Sequence, residues 1–152
     1  MQLSSSAFSN GSVIPRRFTC DGEELSPPLD WEATPPTTCS FVLLCDDPEA
    51  SAGKWHHWAV YDIDADQTGL VEGASRDGGA VRSSKAINDF HRTAMAAPCP
   101  PRCHGRHRYQ FRLLALPVDH LSLGAKPSCH EVEREARRHV IAEVTLVGIY
   151  QR

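Results

Sequence analysis

The sequence predicts a mainly antiparallel β protein, a two-sheet β-sandwich with a short C-terminal helix followed by a final strand. Eleven prolines and ten glycines interrupt the chain, and the apolar runs between them are short, as expected for many strands joined by turns. Helical periodicity is found in one segment near the C terminus. A chain of 152 residues is too short for two ordinary domains, so we expect a single domain over residues 1–152.

Four apolar runs supply the main predicted strands, which span residues 40–45, 57–63, 108–116 and 141–150. In the third run, Tyr109 and Phe111 fall on one face and Gln110 and Arg112 on the other, because side chains alternate along a strand. We therefore expect this strand to be half buried.

The predicted helix lies within residues 127–140, where apolar side chains recur at intervals of three or four and charged residues fill the other positions. Ser128 and Glu131 can form a capping box, in which each side chain bonds the backbone amide of the other residue. The pattern predicts one surface helix that leads directly into the last strand.

Charge and hydropathy argue against two classes of function. With 16 Lys and Arg against 19 Asp and Glu, the net charge of −3 disfavours the broad basic face that non-specific nucleic-acid binding needs. Residues 1–12 contain no basic segment followed by an apolar run, and no window approaches the roughly 18 apolar residues of a membrane span. We expect a cytoplasmic protein with no nucleic-acid partner and no integral membrane segment.

The six cysteines, at positions 20, 39, 45, 99, 103 and 129, are expected to be thiols, because the cytosol keeps cysteines reduced. No C-x-x-C spacing occurs among them. Cys99 and Cys103 are close enough in sequence that a bridge between them is left open.

The stretch CDDPEASAGKWHHW brings acids and imidazoles close together in sequence. Pro48 biases Asp47 toward extended backbone, so the carboxylate is presented at a rigid turn after a strand. His56 and His57 are neighbours at the start of a strand, so their side chains should point to opposite faces and only one can join Asp47 in a pocket. This disfavours a two-histidine metal centre. Trp58 should pack on the face that His57 avoids, and the structural alternative is a histidine pair hydrogen-bonded beneath core tryptophans.

The stretch PCPPRCHGRHRY superficially resembles a zinc-binding sequence, since Cys99, Cys103, His104 and His107 have the spacing C-x3-C-H-x2-H. Structural zinc sites usually join two ligand pairs across an intervening segment, whereas these four residues crowd into nine positions that also hold two prolines. We therefore expect no metal there.

Two other interpretations of this stretch stay open. In the functional one, Pro100 and Pro101 form a rigid wall, and His107 and Tyr109, two positions apart at a strand start, point into one site. In the structural one, the stretch is an arginine-rich loop in solvent.

Taken in order, the segments DGEELSPPLDW, DDPEA followed by KWHHWAVYDID, and PCPPRCHGRHRYQFRLLAL resemble the phosphatidylethanolamine-binding protein family, also called Raf kinase inhibitor-like proteins. The likeness is greatest to the bacterial and archaeal branch of the family. It implies a β-sandwich with a small pocket at one end that accepts phosphate-like anions. It also implies a binding or regulatory protein without a catalytic centre or cofactor.

The resemblance assigns pocket roles to six residues: the aspartate Asp47, the histidine His57, the proline wall Pro100 and Pro101, and the pair His107 and Tyr109. Imidazole, tyrosine hydroxyl and loop amides can donate to phosphate oxygens, and an aspartate can accept from a protonated phosphate. No serine or cysteine stands in a recognisable nucleophile motif. We expect a small anionic or phosphorylated ligand, with a protein partner and a homodimer as further expectations.

One loop departs from the family pattern N-D-[FY]-G-x-x-G-Y-x-G-P. The chain reads NDFHRTAMAAP, with His91, Ala94, Met95 and Ala97 at the glycine and tyrosine positions. Glycines permit positive φ and close backbone approach, so their loss bears directly on binding. Two alternative functions stay open. One is a hydrolase that uses Asp47 and His57 as an acid and base pair. The other, which the altered loop favours, is a protein-interaction inhibitor whose pocket is vestigial.

Overall fold

Nine strands in two sheets make up most of the regular structure in residues 1–76 and 82–152, the part of the chain that the computed structural model describes. The strands are β1 Gln2–Ser4, β2 Ser12–Val13, β3 Leu29–Glu32, β4 Ser40–Asp47, β5 Trp55–Asp64, β6 Gly69–Leu70, β7 Ser84–Lys85, β8 His107–Leu116 and β9 Ala142–Tyr150. A short 3-10 helix covers Arg16–Phe18, and the α-helix α1 covers Cys129–Arg137.

The larger sheet has six strands in the order β2-β9-β8-β4-β5-β7, and the smaller has three in the order β1-β3-β6. All strand pairs are antiparallel except β2 with β9. The prediction of a mainly β, two-sheet protein with one short helix before a final strand is therefore confirmed.

The main core lies between the two sheets. The Trp31 ring from the small sheet packs 5.5 Å from the Phe41 ring of β4, measured between centroids. Leu43, Phe111 and Leu113 from the large sheet are completely buried in the same cluster. Burial of such aromatic and branched side chains is the main source of stability, at about 1.5–3 kcal/mol for each.

The outer face of the large sheet is covered by α1. Val132 and Ala136 of the helix pack on Val42 and Leu114 of the sheet, and all four side chains are fully buried. The capping box of Ser128 and Glu131 is present as predicted.

The prediction that the third strand would be half buried was wrong. Arg112, on the face opposite Tyr109, is only 5% exposed. Both faces of β8 are covered, because α1 lies over the Arg112 face and Glu133 of the helix bonds the Arg112 guanidinium. No helix in the described parts of the chain has the length and apolar character needed to cross a membrane.

The expectation that all six cysteines are thiols was also wrong, because Cys20 and Cys99 form a disulfide. The two residues are 79 positions apart in sequence, but the Cys20 backbone amide donates to the Pro98 carbonyl and their Cα atoms lie 5.3 Å apart. That separation lies within the range that a disulfide spans. Cys103 is free, so the bridge to Cys99 that the sequence left open is not formed.

Candidate functional site

A cavity of about 260 Å³ opens where β4 ends and where β5 and β8 begin. The six residues singled out from the sequence all line it: Asp47, His57, Pro100, Pro101, His107 and Tyr109. The other lining residues come mainly from the loop after β4 and from the segments before β8: Ala50, Ser51, Ala52, Trp55, Phe90 and Cys99. Strand ends therefore supply the polar groups, and loops supply most of the apolar wall.

The carboxylate of Asp47 is held by two hydrogen bonds. His107 donates from Nδ1 to Oδ2 over 2.6 Å, and the Glu49 backbone amide donates to Oδ1 over 2.8 Å. The side chains of Asp47 and His107 are each only 4% exposed. Both oxygens of the carboxylate therefore have fixed partners, and the orientation of His107 is set by Asp47.

A second imidazole extends this pair toward solvent. Nδ1 of His104 lies 2.9 Å from Nε2 of His107, so one of these nitrogens donates to the other. His104 is exposed, whereas His107 is buried. The sequence interpretation considered His104 only as a zinc ligand and missed this contact. Because Cys99 is bonded to Cys20, the C-x3-C-H-x2-H set lacks one of its two thiolates.

The imidazole of His57 is oriented by the backbone of the segment before Cys99. Its Nδ1–H donates to the Ala96 carbonyl oxygen over 2.7 Å, which leaves Nε2 as the nitrogen available to the cavity. Burial lowers the pKa of His57 below its ordinary value, although the Ala96 carbonyl and Asp47 act in the opposite direction. A neutral His57 with its hydrogen on Nδ1 offers a hydrogen-bond acceptor to a ligand.

Tyr109 forms the floor beside the two histidines. Its ring packs edge-on against His57, 5.3 Å between centroids, and stacks on His107 at 6.4 Å. Burial raises the pKa of Tyr109 well above its ordinary value, with the nearby Asp47 charge adding to the effect. The hydroxyl therefore stays protonated and can donate a hydrogen bond.

A break in strand alternation places His57 in the cavity. The pairing of β4 with β5 runs from Cys45 opposite Trp58 to Asp46 opposite His56, and this register shift leaves His57 without an opposing residue. Such a β-bulge changes the direction of the extra residue. Trp58 belongs to the same buried cluster as Tyr109, against which His57 packs, so the prediction that Trp58 avoids the His57 face was wrong.

His56 lies on the α1 side of the sheet. Its Nε2 donates to the Glu133 carboxylate of the helix over 2.7 Å, and the residue is 1% exposed. The two neighbouring imidazoles thus serve different environments, one at the cavity and one beneath the helix.

The loop that lacks the family glycines is organised by Asn88, which is almost completely buried. Its amide nitrogen donates to the carbonyls of His57 and Ala94, each over 2.9 Å. Its amide oxygen accepts from the backbone amides of Phe90 and Arg92, each over 3.0 Å. One side chain therefore ties this loop to β5 and closes its turn. Nothing in the sequence interpretation identified this role.

Of the three positions where this loop has lost a glycine of the family pattern, one has a left-handed backbone conformation. His91, which replaces a glycine of the family pattern, has φ of 60°, a conformation that non-glycine residues adopt at some cost. Ala94 and Ala97 are absent from the residues of positive φ in the described chain, so alanine is compatible with their backbone. The loop therefore keeps a turn of the glycine type without the glycines.

Cations are absent from the described residues that line the cavity, which include neither lysine nor arginine. Arg108, beside His107 in β8, pairs with Glu49 instead, with Nη2 2.6 Å from Oε1. The wall thus combines an ionisable carboxylate, five aromatic or imidazole rings and short apolar side chains. Its mouth is apolar, since Trp55 and Phe90 meet edge-on there at 5.8 Å between centroids.

The fold is a β-sandwich with a cavity at one end of its large sheet, and comparison with known proteins gives the family. The sequence model described as Phosphatidylethanolamine-binding protein matches residues 4–151. The chain belongs to this family.

Relatives from distant organisms are similar over the whole chain. The UPF0098 protein of Aquifex aeolicus is 41% identical over 152 residues, covering 100% of this chain and 89% of the relative. The UPF0098 protein of Methanothermobacter thermautotrophicus is 40% identical over 153 residues, covering 100% and 99%.

Two solved structures have the same fold. Escherichia coli YbcL, described as a new member of the mammalian PEBP family, superposes with a TM-score of 0.93 at 28% identity, over 99% of this chain and 98% of that one. The homologue CT736 from Chlamydia trachomatis superposes with a TM-score of 0.88 at 32% identity, over 99% and 97%.

Proposed function

We propose that this protein is a non-catalytic binding protein whose cavity takes a small, singly protonated oxyanion, such as a phosphate monoester. The observation that carries the proposal is the presence of two acceptors, Asp47 and Nε2 of His57, in a cavity whose described lining holds no lysine or arginine. A ligand that carries a hydrogen on one oxygen can donate to such acceptors. Its other oxygens can accept from the Tyr109 hydroxyl and from loop amides.

The protonation state of the ligand follows from the charges in the cavity. A doubly charged phosphate would meet Asp47 without a compensating cation and would have no hydrogen to donate. Since the second pKa of a phosphate ester is about 6, the singly charged form is the major one below that pH. Protonation of His57, whose pKa is lowered, would add a donor and a positive charge as the pH falls further. We therefore expect anion affinity to increase from about pH 8 to about pH 6.

The apolar mouth supports a ligand with an organic group. Phe90 is 41% exposed and stands beside Trp55 at the rim. A planar or apolar substituent on the phosphate could pack against these two rings. We therefore propose phosphorylated organic molecules rather than free phosphate as the ligand class.

Catalysis is disfavoured by the arrangement of the same groups. A hydrolase in which Asp47 orients and polarises His57, as in a catalytic dyad, would need a hydrogen bond between the two side chains. Instead, Asp47 bonds His107, and His57 is oriented by the Ala96 carbonyl. Turnover of a phosphate ester that disappears in the Asp47→Ala protein would support the hydrolase and contradict the present proposal.

The experiment is thermal unfolding with increasing phosphate or phenyl phosphate, run at about pH 6 and about pH 8 beside potassium chloride of equal ionic strength. A ligand at about a hundred times its Kd adds about 2.7 kcal/mol to native stability, so binding raises the unfolding midpoint. We expect the larger rise with phenyl phosphate at the lower pH, and its loss in His57→Ala. The matched control is His120→Ala, since that side chain is 81% exposed and lies outside the cavity.

A wild-type response no larger than that of potassium chloride would contradict the proposal. It would favour the inhibitor with a vestigial pocket, for which a partner should be captured equally well by wild type and His57→Ala. The expected protein partner, homodimer and cytoplasmic location stay predictions. The disulfide is more typical of oxidising compartments and argues against the last of these.

A further inference from the structure

We propose that His56, Asp89 and His130 form a binding site for a divalent transition-metal ion, with Zn²⁺ as the best-matched ion. One donor atom from each residue lies within 4.8 Å of the other two. The site is on the α1 side of the large sheet, and none of its three residues lines the cavity. It is therefore independent of the anion proposed above.

The three ligands come from separate segments that are tied together by their backbones. The His56 amide donates to Oδ2 of Asp89 over 2.7 Å, and the Asp89 amide donates back to the His56 carbonyl over 3.1 Å. The helix is joined to the same loop, since the amide of Cys129 donates to the Ile87 carbonyl over 2.9 Å. His130, in the first turn of α1, is thus held beside the other two residues before any ion binds.

Two of the three distances between donor atoms are close to those between tetrahedral ligands, and all three lie within 4.8 Å. Oδ2 of Asp89 lies 3.6 Å from Nδ1 of His56 and 3.3 Å from Nε2 of His130. Ligands at the usual 2.0–2.1 Å from Zn²⁺ are separated by about 3.3 Å along the edges of a tetrahedron.

A second observation points independently to a ligand. Nδ1 of His56 has no hydrogen-bond partner among the described residues although the side chain is 1% exposed. A buried polar atom without a partner is uncommon and costs about 1–3 kcal/mol. Because Nε2 carries the hydrogen donated to Glu133, a neutral His56 has its lone pair on Nδ1, where the proposed ion would bind.

Glu133 supplies the outer support that metal-bound histidines usually have. Its Oε2 accepts from Nε2 of His56 over 2.7 Å, as a carboxylate does behind a zinc-ligating imidazole. Arg112 and Lys54 also donate to Oε1 of Glu133, each over 2.8 Å. The carboxylate is therefore fixed behind the His56 ring by two cationic side chains.

The ligand set selects the class of ion. Two imidazoles and one carboxylate suit Zn²⁺, Co²⁺ or Ni²⁺, whereas Ca²⁺ and Mg²⁺ prefer oxygen ligands throughout. His130 is 58% exposed, so ions can enter from solvent and a fourth position is left for water. In each of the dipeptides 56–57 and 89–90, the first residue belongs to the proposed metal site and the second lines the cavity.

The simplest competing explanation is an ion pair without a metal. Nε2 of His130 lies 3.0 Å from Oδ1 of Asp89, a distance that also suits a hydrogen bond between the two side chains. Such a pair accounts for Asp89 and His130 but leaves Nδ1 of the buried His56 without a partner. Metal binding accounts for all three residues.

The experiment titrates chelator-treated, full-length protein with Co²⁺ and follows the visible d–d absorption, then displaces Co²⁺ with Zn²⁺. We expect one equivalent of Co²⁺ to bind, and affinity to fall about tenfold or more in His130→Ala. That variant should fold, because His130 is more than half exposed. His104→Ala is the matched control, since it removes an exposed imidazole that belongs to the cavity side. Cys103→Ser is a second control, since it removes an exposed thiol.

Three results would overturn the proposal. The first is no Co²⁺ or Zn²⁺ binding by the wild-type protein. The second is equal affinity in the wild type and in His130→Ala. The third is loss of binding in His104→Ala or Cys103→Ser but not in His130→Ala, which would place the ion at the cavity side. Circular dichroism of each variant separates loss of ligation from loss of fold.

Discussion

Nδ1 of His107 donates to Oδ2 of Asp47 over 2.6 Å, and each side chain is 4% exposed. This buried pair joins the end of β4 to the start of β8, 60 residues later in the chain. It therefore has a structural role as well as a place in the cavity wall.

Replacement of Asp47 by alanine should destabilise the fold strongly. His107 would lose its buried partner, and the Glu49 amide would lose its acceptor. A buried hydrogen-bonding group left without its partner costs about 1–3 kcal/mol. Urea unfolding of Asp47→Ala beside wild type measures the difference, with Glu72→Ala as an exposed-carboxylate control outside the cavity. Equal losses in the two variants would contradict a special role for the buried pair.

The lowered pKa of His57 predicts a stability that decreases as the pH falls. The unfolded chain takes up a proton near the ordinary pKa of 6.5, whereas the folded protein takes it up only at lower pH. Between these two pKa values the unfolded state binds more protons, so acid favours unfolding there. Above the unfolded-state pKa, the stability contributed by neutral His57 is fully present. Below the folded-state pKa, that stability is completely lost.

Urea unfolding from about pH 7.5 to about pH 5 in a non-binding buffer tests this dependence. His57→Gln cannot titrate in this range, so its stability should fall less over the same interval than that of the wild type. His120→Gln, which removes an exposed imidazole, should follow the wild-type curve. Identical slopes in wild type and His57→Gln would show that other groups cause the acid sensitivity.

The strands and the residues at their ends could be predicted from the sequence because both depend on local pattern. The run before Asp47 and the alternation from Tyr109 onward indicate where β4 ends and β8 begins. The sequence pattern placed Asp47 with one of two adjacent histidines, and it placed His107 and Tyr109 with Pro100 and Pro101 in a second cluster. The resemblance to a family selected His57 and joined the two clusters into one pocket.

Other parts could not be predicted because they depend on contacts between distant segments. The bulge at His57 is a property of the pairing between β4 and β5, and neither strand alone indicates it. The disulfide joins residues 79 positions apart, and Asn88 acts through backbone groups that any residue carries. The burial of Arg112 could not be predicted either, because it depends on where α1 packs on the sheet.

Arg112 should be essential to the packing of α1 on the sheet. Its guanidinium bonds Asp46 from β4 and Glu133 from the helix, and Asp46 is completely buried. Arg112→Ala would leave the Asp46 carboxylate buried without its cation, at a cost of about 3–5 kcal/mol. Arg112→Lys should recover only part of this, because an ammonium cannot replace the forked contacts.

Chemical denaturation of both Arg112 variants beside Arg108→Ala measures these effects. Arg108 pairs with Glu49 at the surface, and an exposed ion pair contributes little to stability. A loss in Arg112→Ala no greater than that in Arg108→Ala would show that the buried network is dispensable.

The disulfide between Cys20 and Cys99 predicts how the thiols will react. Unfolded, unreduced protein should show four thiols, belonging to Cys39, Cys45, Cys103 and Cys129, and reduction should raise the number to six. In the native protein only Cys39 and Cys103 should react quickly with a thiol reagent, because Cys45 and Cys129 are buried. Burial also raises the pKa of Cys129 to about 12, so little thiolate is present.

Loss of this bridge should destabilise the protein without unfolding it outright at ambient temperature. In the entropic account, a cross-link that closes a loop of this length lowers the conformational entropy of the unfolded chain and so stabilises the folded protein by about 4 kcal/mol. The Cys20→Ser and Cys99→Ser double variant should therefore unfold at lower urea than the wild type, with Cys39→Ser and Cys103→Ser as the matched control pair. Because Cys99 lines the cavity beside Pro100, phosphate response should weaken in the first pair and not in the second. Six reactive thiols in unfolded, unreduced protein would show that the bridge does not form.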